Sequence, residues 1–311
     1  MGEILRKVAN AFKKRSTILQ SETSQAPHVK IDLVDFWPGF NKEDNYLVRL
    51  LRRNYTVELT SKPEFLIYSV FGKAHKKYTC TKIFYTGENV RPDFNECNYA
   101  FTFDYSDDPR NYRLPLYAWW APPEQLIKRP DIDPKHILLE KTKFCNFIYG
   151  NPNATKRIQF MQKLSKYKQV DCGGTLLNNI GRVITEMEKV KFIKDYRFTI
   201  AFENTEYPGY TTEKLVQPML VHSMPIYCGN PLIERDFNTK SFLHYNDFTS
   251  EDELIDKIIE MDQNEEAYLD YLRQPYYHEN QINDFVQPAN ILRQFEMIFK
   301  KDTASTGQNI K

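Results

Sequence analysis

The stretch FENTEYPGYTTEK, residues 202–214, places three carboxylates (Glu203, Glu206, Glu213), two tyrosines (Tyr207, Tyr210), a Pro208-Gly209 turn and Lys214 between two apolar runs, RFTIA and LVQPML. These residue types suit a phosphorylated ligand. Thr211 or Thr212 can cap a helix whose first turn holds Glu213 and Lys214, since a threonine oxygen accepts from the free N–H groups of that turn. The remaining N–H groups and the helix dipole favour a phosphate, and Lys214 adds a full positive charge. Glu213 can accept hydrogen bonds from ribose hydroxyls, as an acid does in dinucleotide sites. The Pro-Gly turn lets the backbone approach a ligand closely. Read in isolation, Thr-Thr-Glu-Lys is equally a capped helix start in which the dipole alone favours Glu213.

The flanking elements supply the position this chemistry needs. RFTIAFEN reads as a strand and TEKLVQPMLVHS as the helix after it, and ligands of open parallel sheets bind beyond the carboxyl ends of the strands. An amino-terminal series has strands in KIDLVDFW, YTVEL, FLIYSVF, KIFYTGE and YAFTFDY and a helix in NKEDNYLVRLLRRN. A second series has strands in KFCNFIYG, MPIYCG and SFLHYND and helices in TKRIQFMQKLSKY and GRVITEMEKVKFIKDY; EDELIDKIIEMD and ANILRQFEMIFKK are helices of the tail. Strands interleaved with helices predict an α/β protein with parallel sheets. The Pro- and charge-rich passage LIKRPDIDPKHILLEKTK places a junction near 125–142. The expected organisation is a basic amphipathic segment and linker (1–29), two Rossmann-like domains (30–135 and 136–300) facing each other across a cleft, and a polar tail (301–311).

The longer block FTIAFENTEYPGYTTEKLVQPMLVHSMPIYCGNP resembles the signature of glycosyltransferase family 10, the α-1,3-fucosyltransferases, in its bacterial form. The family pattern, FENxxxxxYxTEK followed by PIYxG, falls on Phe202-Glu203-Asn204, Tyr210, Thr212-Glu213-Lys214 and Pro225-Ile226-Tyr227. Cys228 departs from it, where members commonly carry tryptophan or another bulky residue. FYTGENVRPDFNECNYAFTFDY (84–105) and RLPLY (113–117) resemble the amino-terminal motif, FIYGNPNATKR the short motif opening the second domain, and IDLVDFWPGF the first strand. The resemblance covers residues 30–300.

The resemblance implies a GT-B-like fold and transfer of L-fucose from GDP-β-L-fucose, with inversion, to the 3-hydroxyl of GlcNAc or glucose in N-acetyllactosamine- or lactose-type β-galactoside acceptors, giving Lewis x-type products. Residues 30–135 would then face the acceptor and 136–300 would bind the donor. A single displacement needs a carboxylate to take the acceptor proton and charge to stabilise the departing diphosphate. Glu88 holds the family's base position, at the end of the strand KIFYTGE; taken alone, Gly-Glu-Asn equally suits a surface turn. Arg157, Tyr210 and Lys214 match the diphosphate-contacting positions, and Glu213 the group that binds donor hydroxyls. Glu203 and Asn204 either line the same pocket or, for Glu203, brace the Tyr210 loop. No tightly bound cofactor is implied, and a divalent cation would stimulate without being required. Transfer to the 4-hydroxyl, dual α-1,3/1,4 transfer and a non-catalytic sugar- or nucleotide-binding module are the alternatives.

Other features narrow the field. A formal net charge of +1 gives no electrostatic footprint for nucleic acid. Five scattered cysteines without a CxxC pair argue against a disulfide framework or zinc site and favour a reducing cytoplasm. Asp131-Ile132-Asp133 is a DxD, the metal-holding motif of GT-A enzymes, but it lies between Pro130 and Pro134 in the expected linker rather than at a strand end. The histidines show no HExxH spacing, and no metal ligands are assigned. Residues 3–19 place Ile4, Leu5, Val8 and Phe12 on one helical face beside Lys7, Lys13, Lys14 and Arg15, a candidate for peripheral contact with the inner membrane. A short helix packed on the body explains the same pattern.

Overall fold

A computed structural model describes residues 26–306. The expected membrane-contacting segment, 3–19, lies outside them. Among the described residues no helix is long and apolar enough to cross a membrane.

The first half builds a six-stranded, all-parallel sheet. Its elements are β1 (His28–Val34), α1 (Tyr46–Leu51), β2 (Thr56–Leu59), β3 (Phe65–Tyr68), β4 (Thr81–Tyr85), β5 (Tyr99–Thr102) and β6 (Asn111–Arg113), in the order β2-β1-β3-β4-β5-β6. α2 (Tyr117–Trp120) and α3 (Pro134–Glu140) lead into the second half. There, β7 (Lys143–Phe147), α4 (Thr155–Leu164), β8 (Val170–Cys172), α5 (Glu186–Ile193), β9 (Tyr196–Phe202), α6 (Glu213–Leu220), β10 (Met224–Cys228) and β11 (Leu243–His244) form a parallel sheet ordered β11-β10-β9-β7-β8. α7 (Glu251–Gln263), α8 (Glu265–Arg273) and α9 (Pro288–Thr306) complete the chain. The two-domain α/β expectation thus matches the architecture.

Every residue of β3 (FLIY) and of β10 (MPIYC) is buried, as parallel strands covered on both faces require. α7 starts where the Ser250 side chain accepts from Glu253 N, and it buries Leu254, Ile255, Ile258 and Met261 along one stripe. Thr185 and Glu188 form a reciprocal capping box at the start of α5.

Several expected boundaries shift. His28 and Val29, assigned to the leading segment, already pair with Thr56 and Val57. The passage 125–142 is not plain linker: Asp133 accepts from Lys135 N and caps α3, while Asp131 pairs with Arg129 at 3.7 Å. The DxD is therefore a helix start. β4 ends at Tyr85, so Glu88 lies in the loop beyond the strand. β6 and β8, three residues each, are too short to show a period. The last helix runs on through 301–306 of the expected tail. It also crosses back to the first sheet, where Phe295 stacks on Phe101 at 4.6 Å and Phe299 meets Phe65 at 4.4 Å. Its phenylalanines cover apolar surface that the first half cannot bury alone.

Candidate active site

In the second sheet the chain leaves β7 for β8 on one side and then crosses to β9 on the other. The reversal opens a crevice beyond the carboxyl ends of β7 and β9, where such folds bind ligands. Into this crevice the loop after β9 and the amino-terminal ends of α4 and α6 bring most of the expected site residues.

Thr212 is the residue that caps α6, its side chain accepting from Lys214 N. Glu203 holds the cap. Its Oε1 accepts from Thr212 N and its Oε2 from Thr212 Oγ1, both at 2.7 Å. Lys214 Nζ donates to Thr212 Oγ1 and Glu213 Oε1 at 3.0 Å and lies 3.4 Å from Glu203 Oε2. The Glu203 side chain is fully inaccessible, and its oxygens are taken by Thr212 and Lys214. Of its two expected roles, the geometry supports bracing rather than lining: a buried carboxylate must be satisfied from within.

Burial pushes the Glu213 carboxyl up, but Lys214 and then Lys189 outweigh burial and hold it at about 2. Burial lowers Lys214, yet Glu213 and Glu203 raise it well above its ordinary value. Glu203 itself is raised, burial exceeding the pull of Lys214. Lys189, on α5, sits 3.9 Å from Glu213 Oε1. It was missed in the sequence, because nothing in TEMEKVKFI shows which face of that helix meets α6.

Arg157 is 1% exposed. Its Nη1 donates to Asn204 Oδ1 at 3.1 Å and to the Phe202 carbonyl at 3.4 Å, its Nη2 to the Asn151 carbonyl at 3.5 Å, and its Nε has no partner. The guanidinium lies 4.2 Å from the Tyr149 ring centroid. Tyr149 is itself fixed, donating to the Ile200 and Phe202 carbonyls and accepting from Phe202 N. Among the described residues no carboxylate comes within 4.0 Å of the guanidinium. Burial lowers its pKa, partly countered by Tyr149 and Glu203. A charge held this way lacks an anion at close range. Arg157, expected as a diphosphate contact, is thus a buried arginine at the start of α4, and Asn204 is its holder.

Tyr210 is buried against Phe103 of the first half, ring centroids 5.1 Å apart. Burial, then Glu203 and to a lesser extent Glu88, raises its hydroxyl pKa. Asn89 Nδ2, next to Glu88, donates to Thr205 Oγ1 of the loop after β9 at 3.0 Å. Arg91 lies over the Tyr207 ring at 4.0 Å. Thr86 and Glu88 hold the loop's shape: Glu88 N donates to Thr86 Oγ1, which donates to the Glu88 carbonyl. The Pro208-Gly209 turn does approach something closely, but it is protein. Gly209 has φ +82°, and a Cβ there would stand 2.4 Å from the Phe103 carbonyl oxygen. Asn230, fully buried, accepts from Gly209 N at 2.7 Å. It was overlooked, although an asparagine before proline just after a buried strand is a recognisable loop signal.

Residues 31–120 match the family model described as Alpha-(1,3)-fucosyltransferase FucT N-terminal domain, and residues 138–297 match Glycosyltransferase family 10 (fucosyltransferase) C-term. The chain is 30% identical over 344 residues to the Alpha-(1,3)-fucosyltransferase FucT of Helicobacter pylori, a match covering 94% of this chain and 70% of that protein. A crystal structure of an α1,3-fucosyltransferase is similar with a TM-score of 0.77 at 28% identity, covering 90% of this chain and 92% of that one. A second, with GDP-fucose, gives a TM-score of 0.74 at 28% identity, covering 90% and 93%. The chain belongs to glycosyltransferase family 10, the fucosyltransferases, and is a glycosyltransferase built on the GT-B plan.

Proposed function

We propose that the chain transfers L-fucose from GDP-β-L-fucose, with inversion, to the 3-hydroxyl of GlcNAc or glucose in N-acetyllactosamine- or lactose-type acceptors. The acceptor oxygen attacks the anomeric carbon, its proton passes to the Glu88 carboxylate, and the bond to the diphosphate breaks to release GDP. Arg157, Lys214 and Tyr210 take the diphosphate at the positive end of the α6 dipole. Glu213, held ionised, accepts from donor hydroxyls, and Glu203 and Asn204 hold Lys214 and Arg157 in place. The observation that carries this reading is the Asn89–Thr205 contact, which sets the loop of a first-domain carboxylate against the loop leading to the cationic site.

Product formation from GDP-fucose and N-acetyllactosamine in excess EDTA, read by NMR, tests it. An α-linked fucose on the GlcNAc 3-hydroxyl is expected from wild type, without need of a metal. Glu88→Gln should lower the rate at least about a hundredfold with GDP affinity unchanged. A tenfold loss of GDP binding in that variant would contradict the base role. Fucose on the 4-hydroxyl of a type 1 acceptor would support the α-1,4 alternative.

A further inference from the structure

The two halves are joined by a buried polar contact that the chemistry above does not use. Arg113 Nη2, at the end of β6, donates to Asp236 Oδ2 at 2.6 Å, with the Asp236 side chain fully inaccessible and that of Arg113 11% exposed. Asp236 follows the 3₁₀ turn Ile233–Arg235 of the second half. The guanidinium is sandwiched between the rings of Tyr105 and Phe285, 4.2 and 4.1 Å from their centroids. Tyr105 Oη donates to Asp236 Oδ1 at 3.2 Å and to the Leu232 carbonyl at 3.4 Å. The segment that returns the chain to the first half is tied to the same point, since Asn283 Nδ2 donates to the Asp236 carbonyl and Tyr112 Oη to the Phe285 carbonyl.

This junction reaches the donor loop through a short run of bonds. Asn230 Oδ1 accepts from Leu232 N at 2.9 Å and from Gly209 N at 2.7 Å, and Asn230 Nδ2 donates to Thr211 Oγ1 at 3.3 Å. Tyr117 N, four residues beyond Arg113, donates to the Thr211 carbonyl at 3.4 Å. Thr212 and Lys214 follow directly. The junction is also incompletely satisfied: Arg113 Nε and Nη1 and the hydroxyls of Tyr117 and Tyr277 are buried without partners. A polar, partly satisfied contact is one that two domains can make and break, unlike a dry apolar seam.

We propose that Arg113 and Asp236, steadied by Tyr105, form an interdomain latch that sets the alignment of Glu88 with the donor-binding loop, acting as positioning residues for transfer. The inference rests on the reading of Glu88 as base. A latch that fails would leave donor binding intact while admitting water in place of a well-placed acceptor. Misplacement by about 1 Å can cost up to about a hundredfold in rate.

The test uses the full chain carrying Arg113→Met/Asp236→Leu, which removes the pair without stranding either charge, and separately Tyr105→Phe. GDP Kd is measured by calorimetry, and at saturating acceptor the share of GDP-fucose that yields free fucose is compared with the share transferred. The expected result for the double variant is transfer kcat lower by about ten- to a hundredfold, GDP Kd within about twofold of wild type, and a larger hydrolysed share. A purely stabilising pair would lower the unfolding midpoint and leave that partition alone. Transfer kcat within twofold of wild type, or a GDP affinity that falls in step with kcat, overturns the proposal. If the double variant does not fold, Tyr105→Phe decides: at least about a threefold loss of transfer with a raised hydrolysed share supports the latch, and an unchanged partition overturns it. Full activity of Glu88→Gln would instead remove the base reading, whatever the latch variants do.

Discussion

Arg157→Met separates a binding residue from a structural one. In the free protein the guanidinium is buried with no close carboxylate, a placement that costs several kcal/mol of lost hydration. Against this stand one good hydrogen bond to Asn204, two long ones to the Phe202 and Asn151 carbonyls, and the face of Tyr149, together of similar size. Methionine keeps the packing of the stem and removes the charge. Little is orphaned by the change, because the Phe202 carbonyl already accepts from Tyr149 and Asn204 is exposed to water. The free variant is therefore expected to be as stable as wild type, or up to about 2 kcal/mol more stable.

Binding should move the other way. Two charge-assisted contacts to phosphate are worth about 3 kcal/mol together, or roughly a hundredfold in Kd. GDP at a hundred times the wild-type Kd would then stabilise wild type by about 2.7 kcal/mol and the variant by about 0.4. Calorimetric titration with GDP and denaturant unfolding with and without GDP measure both quantities. A variant about 3 kcal/mol less stable when free, with GDP Kd within threefold of wild type, would refute the reasoning: Arg157 would be a core strut and the phosphate site would lie elsewhere.

Lys214→Ala should behave in the opposite sense in the free protein, since it leaves the buried Glu203 without a cation and Glu213 with Lys189 alone; a loss of about 3 kcal/mol in denaturant unfolding is expected along with weaker GDP binding by calorimetry. Gly209→Ala, which sets a Cβ against the Phe103 carbonyl at a positive φ, should cost about 1–3 kcal/mol and lower kcat, and an unchanged unfolding midpoint would show that the two halves do not press together there. Glu213 has a folded pKa of about 2 against an ordinary 4.5, so its stabilising contribution is complete above about pH 4.5 and fades as pH falls toward 2. The gap in unfolding midpoint between wild type and Glu213→Gln should shrink from pH 6 to pH 3; a constant or widening gap would count against the Lys214 and Lys189 pairing.

What the sequence disclosed and what it withheld divide along the range of the interactions. Thr212 as cap, with Glu213 and Lys214 in the first turn, is written within three residues, and the wholly apolar FLIY and MPIYC mark doubly covered strands just as locally. The role of Glu203 depends on the chain returning nine residues later to offer Thr212, and only the folded loop shows that both its oxygens are used. Gly209 reads as a turn in the sequence. The reason a side chain is excluded there, the Phe103 carbonyl, lies more than a hundred residues away in the other half. A comparable separation hides the first-sheet face that Phe295 and Phe299 of the last helix cover, and the packing of one helix on another hides Lys189 beside Glu213. Asp131 and Asp133 show the converse: a familiar spacing whose second member is accounted for by a helix cap two residues long in reach.

Two acids, one buried and one half-buried, in the site proposed to receive a diphosphate look at first like an electrostatic contradiction. Their placement resolves it. Glu203 and Glu213 flank Lys214 at 3.4 and 3.0 Å, so the lysine is already desolvated and fixed beside the start of α6 before any ligand arrives. Lys189 answers Glu213 from the other side, leaving Arg157 as the cation whose partners are an amide, carbonyls and a ring rather than an acid. Charge that must be stabilised as a leaving group departs is met best by dipoles and cations that need not reorganise. The acids hold one cation still, and the Asn204 amide and the Tyr149 ring hold the other. Neutralising Glu213 should therefore slow transfer more than it weakens GDP, because it loosens the position of Lys214 without removing its charge; a Glu213→Gln enzyme whose kcat is unchanged while GDP Kd rises would place that carboxylate on the nucleotide alone.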